Sequence, residues 1–194
     1  MKRICVFCGS CHGFRPEYGA MAARLGRTLA VRGLGVVYGG GNIGLMGTLA
    51  DAVLAEHGEV IGVIPQGLVA KELAHQGLSD LRVVSSMHQR KALMADLSDA
   101  FIAIPGGYGT LEEFFEAVTW SQLGLHQKPC GLLNVANYYD PLRALLEHAT
   151  AEGFIRPTHR SLVLVEEDPD RLIDLLAAYR PAEPVSKWIE KEET

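Results

Sequence analysis

An α/β fold, with a mainly parallel sheet of about seven strands and helices on both faces, is predicted by two features of the 194-residue sequence. Short β-rich runs alternate with amphipathic helical runs, the order that a helix-covered parallel sheet requires. Three of those β runs end in glycines: Gly9 with Ser10, Gly39-Gly40-Gly41 with Gly44, and Gly106-Gly107 with Gly109. Ligands of doubly wound sheets bind outside the carboxyl ends of the strands, so the three loops are expected to converge on one edge. The predicted architecture is a three-layer, Rossmann-like, doubly wound sheet in a single domain over residues 1–180, with a charged tail over 181–194.

The elements follow in order. Residues 4–7 read as the first strand, and residues 17–32 as a helix with Tyr18, Met21, Ala22, Leu25 and Leu29 on one face. A second strand over 35–38, a helix over 45–57 and a third strand over 59–64 come next. A loop with Pro65-Gln66-Gly67 and a polar stretch over 71–76 leads to a strand over 81–84. A helix over 87–97 precedes the strand over 100–104, and the helix opening near Thr110 runs to Leu123. A strand over 129–133, a helix over 140–152, a strand over 162–166 and a short helix from Pro169 complete the domain. Pro181 and Pro184 mark its boundary, and the tail is expected to be mobile or packed only through Trp188 and Ile189.

A net charge of −5 argues against nucleic acid as the main partner. No apolar run approaches the roughly 20 residues that cross a bilayer. The opening Met1-Lys2-Arg3-Ile4 enters a strand and breaks at Gly9, which makes a poor signal peptide, so a cytoplasmic protein is expected. Cys5, Cys8 and Cys11 have the spacing of part of an iron–sulfur run, but Arg15 and Pro16 stand where its fourth ligand belongs. Cys5 and Cys8 are expected to act as small buried apolar residues, and neither the cysteines nor the seven histidines offer a metal site.

Chemistry is expected at two helix openings. In "IPGGYGTLEEF", glycines let backbone amides approach a ligand, and the following helix points unpaired N–H groups at the same place. An anion there would be held by Gly107, Tyr108, Gly109 and Thr110. Thr110-Leu-Glu-Glu113 also fits a capping box, in which Glu113 serves only its own helix. The second opening, Ser86-Met-His-Gln89, is followed at once by Arg90 and Lys91, cations that oppose the helix macrodipole. Met87, Arg90, Met94 and Leu97 share a face, so Arg90 is expected to point inward, where a guanidinium needs an anion. Its partner is Glu112, Glu113, a bound phosphate, or both.

The combination "MHQRKALM", "PGGYGTLEE", "YGGGNIGLMG" and "CGS" resembles the LONELY GUY family of cytokinin riboside 5′-monophosphate phosphoribohydrolases, many of them once labelled lysine decarboxylases. The resemblance extends through "WSQLGLHQKPCGLLN", "YYDPL" and "EGFI", nearly the whole domain. It implies a nucleotide-binding, cofactor-free hydrolase that cleaves the N-glycosidic bond of adenine or N6-substituted adenine nucleoside 5′-monophosphates. It also implies a homodimer with the pocket near the interface. By resemblance Arg90 and Glu113 are the catalytic pair. Gly9, Ser10, Gly40, Gly41, Glu72, Met87, Lys91, Gly107, Tyr108, Gly109, Thr110, Leu111, Glu112 and Thr119 are implied to bind substrate.

Glycosidic cleavage develops positive charge on the ribose, which a carboxylate stabilises. Glu113, one turn beyond the amides that hold the phosphate, would meet the sugar and not the anion. The rival readings are a non-catalytic carrier of a nucleotide or of the molybdenum cofactor, and a decarboxylase using Lys71, Lys91 or Lys128 as a Schiff base. An anion carrier gains nothing from a nearby carboxylate, and no motif around the lysines suggests pyridoxal phosphate.

Overall fold

The computed structural model describes residues 1–69 and 74–181. The expectations for Lys71, Glu72, Trp188, Ile189 and the tail beyond Pro181 lie outside the described residues. Seven strands form one sheet: β1 (Arg3–Phe7), β2 (Gly35–Tyr38), β3 (Val60–Pro65), β4 (Asp80–Val84), β5 (Ala100–Ala103), β6 (Cys130–Leu133) and β7 (Val163–Glu166). Their order is β4-β3-β2-β1-β5-β6-β7, and every pairing is parallel. The helices are α1 (Pro16–Val31), α2 (Gly44–Ala55), α3 (Met87–Asp96), α4 (Tyr108–Gln122), α5 (Asp140–Ala151), α6 (Pro157–Arg160) and α7 (Pro169–Ala178).

Parallel strands need crossover helices, which cover both faces and leave the central strands dry. Strand β1 shows this directly. Ile4 and Val6 join a core with residues of α1, α2 and α7, while Cys5 and Phe7 join one with residues of α3, α4 and α5. The two cysteines that share a metal-like spacing therefore belong to opposite faces of the sheet or its end: Cys5 packs in one core and Cys8 in the other. Cys11 is exposed, and the described residues hold no cluster able to bind a metal.

Winding runs outward from β1 to β4, then restarts on the other side of β1 with β5. The register Cys5↔Phe101, Val6↔Ile102, Phe7↔Ala103 sets the carboxyl ends of β1 and β5 side by side. Crossovers leave in opposite directions there, and the crevice between them is where such sheets bind ligands. No helix among the described residues is long and apolar enough to cross a membrane.

Candidate active site

The three glycine loops meet at that crevice. The Gly9 N–H donates to the Pro105 carbonyl at 3.1 Å, and the Leu45 N–H donates to the Gly9 carbonyl at 3.0 Å. One residue thus ties the loop after β1 to both the loop after β5 and the start of α2. Gly44, at φ +61°, lies so close that a Cβ there would stand 2.3 Å from the Ser10 carbonyl carbon. The loops enclose a cleft of about 230 Å³, bordered by Gly9 and Ser10, by Gly39 and Met46, and by residues 107–110.

Helix α4 opens into this cleft. Its N-cap is Gly107, and the Leu111 N–H makes the first intrahelical bond to the Gly107 carbonyl at 3.1 Å. The amides of Tyr108, Gly109 and Thr110 precede that bond, so they are the donors a helix start leaves for an anion. The glycines here divide into two kinds. A Cβ on Gly106 would meet Thr110 Oγ1 at 2.1 Å and the Gly9 nitrogen at 2.8 Å, so packing within the protein requires glycine. A Cβ on Gly107 or Gly109 would meet nothing beyond its chain neighbours and the helix's own backbone, so both positions are open.

The helix starts at Tyr108, two residues before the expected Thr110, and has no side-chain cap. The Thr-x-x-Glu capping box is therefore not formed. Thr110 is buried inside the first turn, and Glu113 is released to border the cleft. A capped opening forms instead on α3, where Ser86 accepts from the Gln89 N–H at 3.1 Å and Gln89 Oε1 accepts from the Ser85 N–H at 3.1 Å.

Arg90, in the first turn of α3, is 6% exposed. Its Nε donates to the Val63 carbonyl at 3.1 Å, and Nη2 donates to the Gly39 carbonyl at 3.3 Å. Its Nη1 lies 3.4 Å from Glu113 Oε1 and 3.7 Å from Met87 Sδ. Two backbone carbonyls thus fix the plane of the guanidinium and aim its third corner at Glu113 in the cleft. Lys91, the next residue, does not border this cleft. It bridges Glu112 and Glu116 of α4, the latter at 2.9 Å, and links α3 to α4. Burial opposes its charge, yet the bonds to the two carboxylates hold the ammonium above its ordinary pKa. Burial, and then the Glu113 charge, push the Cys8 thiol well above its ordinary value, with Arg90 opposing. Cys8 is therefore a neutral wall of the cleft and not a thiolate.

Gly9, Ser10, Tyr108, Gly109, Thr110, Gly107, Arg90 and Glu113 all border the cleft. Met87 contacts Arg90 beside it, whereas Lys91 and Glu112 pair with each other and are not part of its lining. Gly40 and Gly41 are not part of the lining: the Gly40 carbonyl accepts from the His75 N–H at 3.0 Å, and the Gly41 carbonyl accepts from the Tyr38 hydroxyl at 3.1 Å. Leu111 packs toward the core, and the exposed Thr119 hydroxyl bonds back to the Phe115 carbonyl at 2.7 Å. Val6, Phe7, Cys8, Gly39 and Met46 also line the cleft, and sequence reasoning had not placed them there as site residues. The run of three glycines held the signal for Gly39; the others read as ordinary core.

The family described as "possible lysine decarboxylase" matches residues 46–176. The chain is 57% identical over 168 residues to the cytokinin riboside 5′-monophosphate phosphoribohydrolase of Rhodococcoides fascians, covering 86% of this chain and 85% of that protein. It is 49% identical over 180 residues to an Arabidopsis thaliana cytokinin riboside 5′-monophosphate phosphoribohydrolase, covering 93% of this chain and 84% of the relative. Among solved structures, a molybdenum cofactor carrier protein from Chlamydomonas reinhardtii has a TM-score of 0.68 at 21% identity. That match covers 92% of this chain and 99% of the other, and it shows a shared fold.

Proposed function

The chain belongs to the LONELY GUY family, whose members include cytokinin riboside 5′-monophosphate phosphoribohydrolases, and on that premise we propose that it hydrolyses the N-glycosidic bond of adenine or N6-substituted adenine nucleoside 5′-monophosphates. The observation that carries the reading is the Arg90–Glu113 pair, 3.4 Å apart, in a cleft whose other wall is the open start of α4. The amides of Tyr108, Gly109 and Thr110 hold the 5′-phosphate. The ribose then lies over Glu113.

In the reaction the bond from C1′ to the base nitrogen breaks, and its electron pair leaves with the base. The water oxygen bonds to C1′; one water proton ends on the base and the other remains on the new hydroxyl. Glu113 stabilises the positive charge that develops on the sugar and orients the water, the role carboxylates have in glycoside hydrolysis. Arg90 sets its positive charge 3.4 Å from Glu113 and, being fixed by two carbonyls, needs no rearrangement as charge develops.

Glu113→Gln and Arg90→Lys proteins should keep their fold and lose turnover of adenosine 5′-monophosphate by about a hundredfold or more. Lysine cannot reach Val63, Gly39 and Glu113 together, because its ammonium lacks the planar fork. Release of free base and of ribose 5-phosphate is the measurement. Near-normal turnover by either variant would remove the role given to that residue.

Tight nucleotide binding by the wild-type protein with no release of base would instead favour a carrier. A Schiff-base role fits poorly on Lys91, which two carboxylates hold charged, and Lys128 Nζ donates to the Ala95 carbonyl at 2.7 Å. We also propose a homodimer in a reducing, cytoplasmic setting. Support comes from the family resemblance, and from cysteines that are free, with Cys11 exposed. Sedimentation showing only monomer at micromolar concentration would overturn the dimer.

A further inference from the structure

We infer that Tyr138 is a positioning residue for phosphate binding, acting through the carbonyl of Gly106; this rests on the phosphate site proposed at the start of α4. The Tyr138 hydroxyl donates to the Gly106 carbonyl at 2.6 Å, across 32 residues of sequence. The peptide joining Gly106 to Gly107 is trans, as are all those described. In a trans peptide the C=O and the N–H that follows point to opposite sides. Holding the Gly106 oxygen toward Tyr138 therefore turns the Gly107 N–H the other way, toward the cleft that Gly107 lines. Glycine on both sides of this peptide leaves it otherwise free to rotate.

The turn that carries Tyr138 is built to hold it. Ala136 and Asn137 both sit at positive φ, 49° and 62°, a conformation that costs a non-glycine residue of order 1–3 kcal/mol. The surroundings enforce it. Asn134, 1% exposed, accepts from the Tyr139 N–H at 2.8 Å and donates to Asp140 at 2.9 Å, while Arg15 donates to the Ala136 carbonyl at 3.3 Å. Tyr139 is buried, and its hydroxyl donates to the Ile104 carbonyl at 2.8 Å. The adjacent tyrosines thus grip the loop after β5 at two carbonyls, Ile104 at its root and Gly106 at its tip. The Tyr138 ring is set edge-on between Tyr18, at 5.7 Å, and Tyr139, at 5.0 Å.

The test is Tyr138→Phe, which removes one oxygen and keeps the ring between its neighbours. With adenosine 5′-monophosphate as substrate, KM should rise about five- to tenfold, the loss of one hydrogen bond's worth of orientation, with kcat within about twofold. Competitive inhibition by inorganic phosphate should weaken by the same factor, and inhibition by adenosine, which has no phosphate, should not change. A hydroxyl that served only stability would lower the unfolding temperature and leave the phosphate-to-adenosine inhibition ratio as in wild type. That result, or an unchanged KM, overturns the inference. Failure of the underlying reading looks different: wild-type protein itself would then show neither base release nor inhibition by phosphate.

Discussion

Gly39 controls the position of Arg90. A Cβ at this residue would stand 2.1 Å from Arg90 Nη2, inside any permitted contact, and 3.4 Å from Met46 Sδ. The guanidinium passes directly over the backbone to reach the Gly39 carbonyl, and that passage exists only because the residue has no side chain. Gly39→Ala should therefore expel the guanidinium from its carbonyl pair, with a stability loss of about 1–3 kcal/mol for overpacking. Since displacement of a catalytic group by about 1 Å can cost a hundredfold in rate, kcat/KM for the nucleotide should fall at least that far. Thermal unfolding together with steady-state kinetics reads both effects. A variant with wild-type kcat/KM would show that Arg90 tolerates another seat. The inward direction of Arg90 could be read from its helical spacing with Met87 and Met94. What it meets could not, because Val63 of β3 and Gly39, just after β2, lie 27 and 51 residues away.

Helix α4 sets stability against binding at its first turn. Gly109 lies within the helix, where glycine costs about 1 kcal/mol relative to alanine, and a Cβ there would meet nothing beyond its chain neighbours and the helix's own backbone. Gly109→Ala should raise the unfolding temperature by about 2–4 °C, the shift expected for 1 kcal/mol in a protein of this size. Gly109 also borders the cleft, so the added methyl should crowd a phosphate at the start of the helix, and KM for the nucleotide should rise while the protein becomes more stable. A stabilised variant with unchanged KM would place the phosphate elsewhere. The start of this helix was also where sequence reasoning was least secure. Thr-x-x-Glu reads as a capping box, and its local pattern carries no sign that packing of Thr110 against Gly106 and Gly9 draws the threonine into the turn. The strands were legible because seven β-rich runs separated by amphipathic segments permit few other arrangements. The pairing of Lys91 with Glu112 and Glu116 was not, since it depends on how two helices lie across the sheet.

At the scale of the whole molecule, ion pairs fasten elements remote in sequence and stand apart from the cleft. Arg3 at the start of β1 pairs with Glu59 at 2.7 Å, before β3. Asp99, before β5, accepts from the Lys2 and Arg3 amides. Arg24 of α1 and Arg32 at its C-cap reach Asp168, Asp170 and Asp174 at and within α7. The bond from Arg3 holds the Glu59 carboxyl below its ordinary value against a burial penalty, and the Arg171 amide with Arg24 does the same for Asp168. Burial works against the Asp99 charge, yet the Lys2 and Arg3 amides still hold its pKa low. A carboxyl depressed on folding stabilises the protein fully above its unfolded pKa, and that contribution is lost as pH falls through the folded value. Unfolding temperature should therefore be level near neutrality and decline below about pH 4, the ordinary carboxylate range. Glu59→Gln should lower it slightly at pH 7 and make the acid decline shallower, because one of the groups that must take up a proton is gone. A wild-type curve level down to pH 3, or a variant curve parallel to it, would mean that these pairs are equally protonated in both states and contribute nothing to folding. The expected outcome keeps acid sensitivity in the clasps that join α1 to α7 and β1 to its neighbours. A change in turnover between pH 5 and 8 would then report on the crevice and not on loss of the fold.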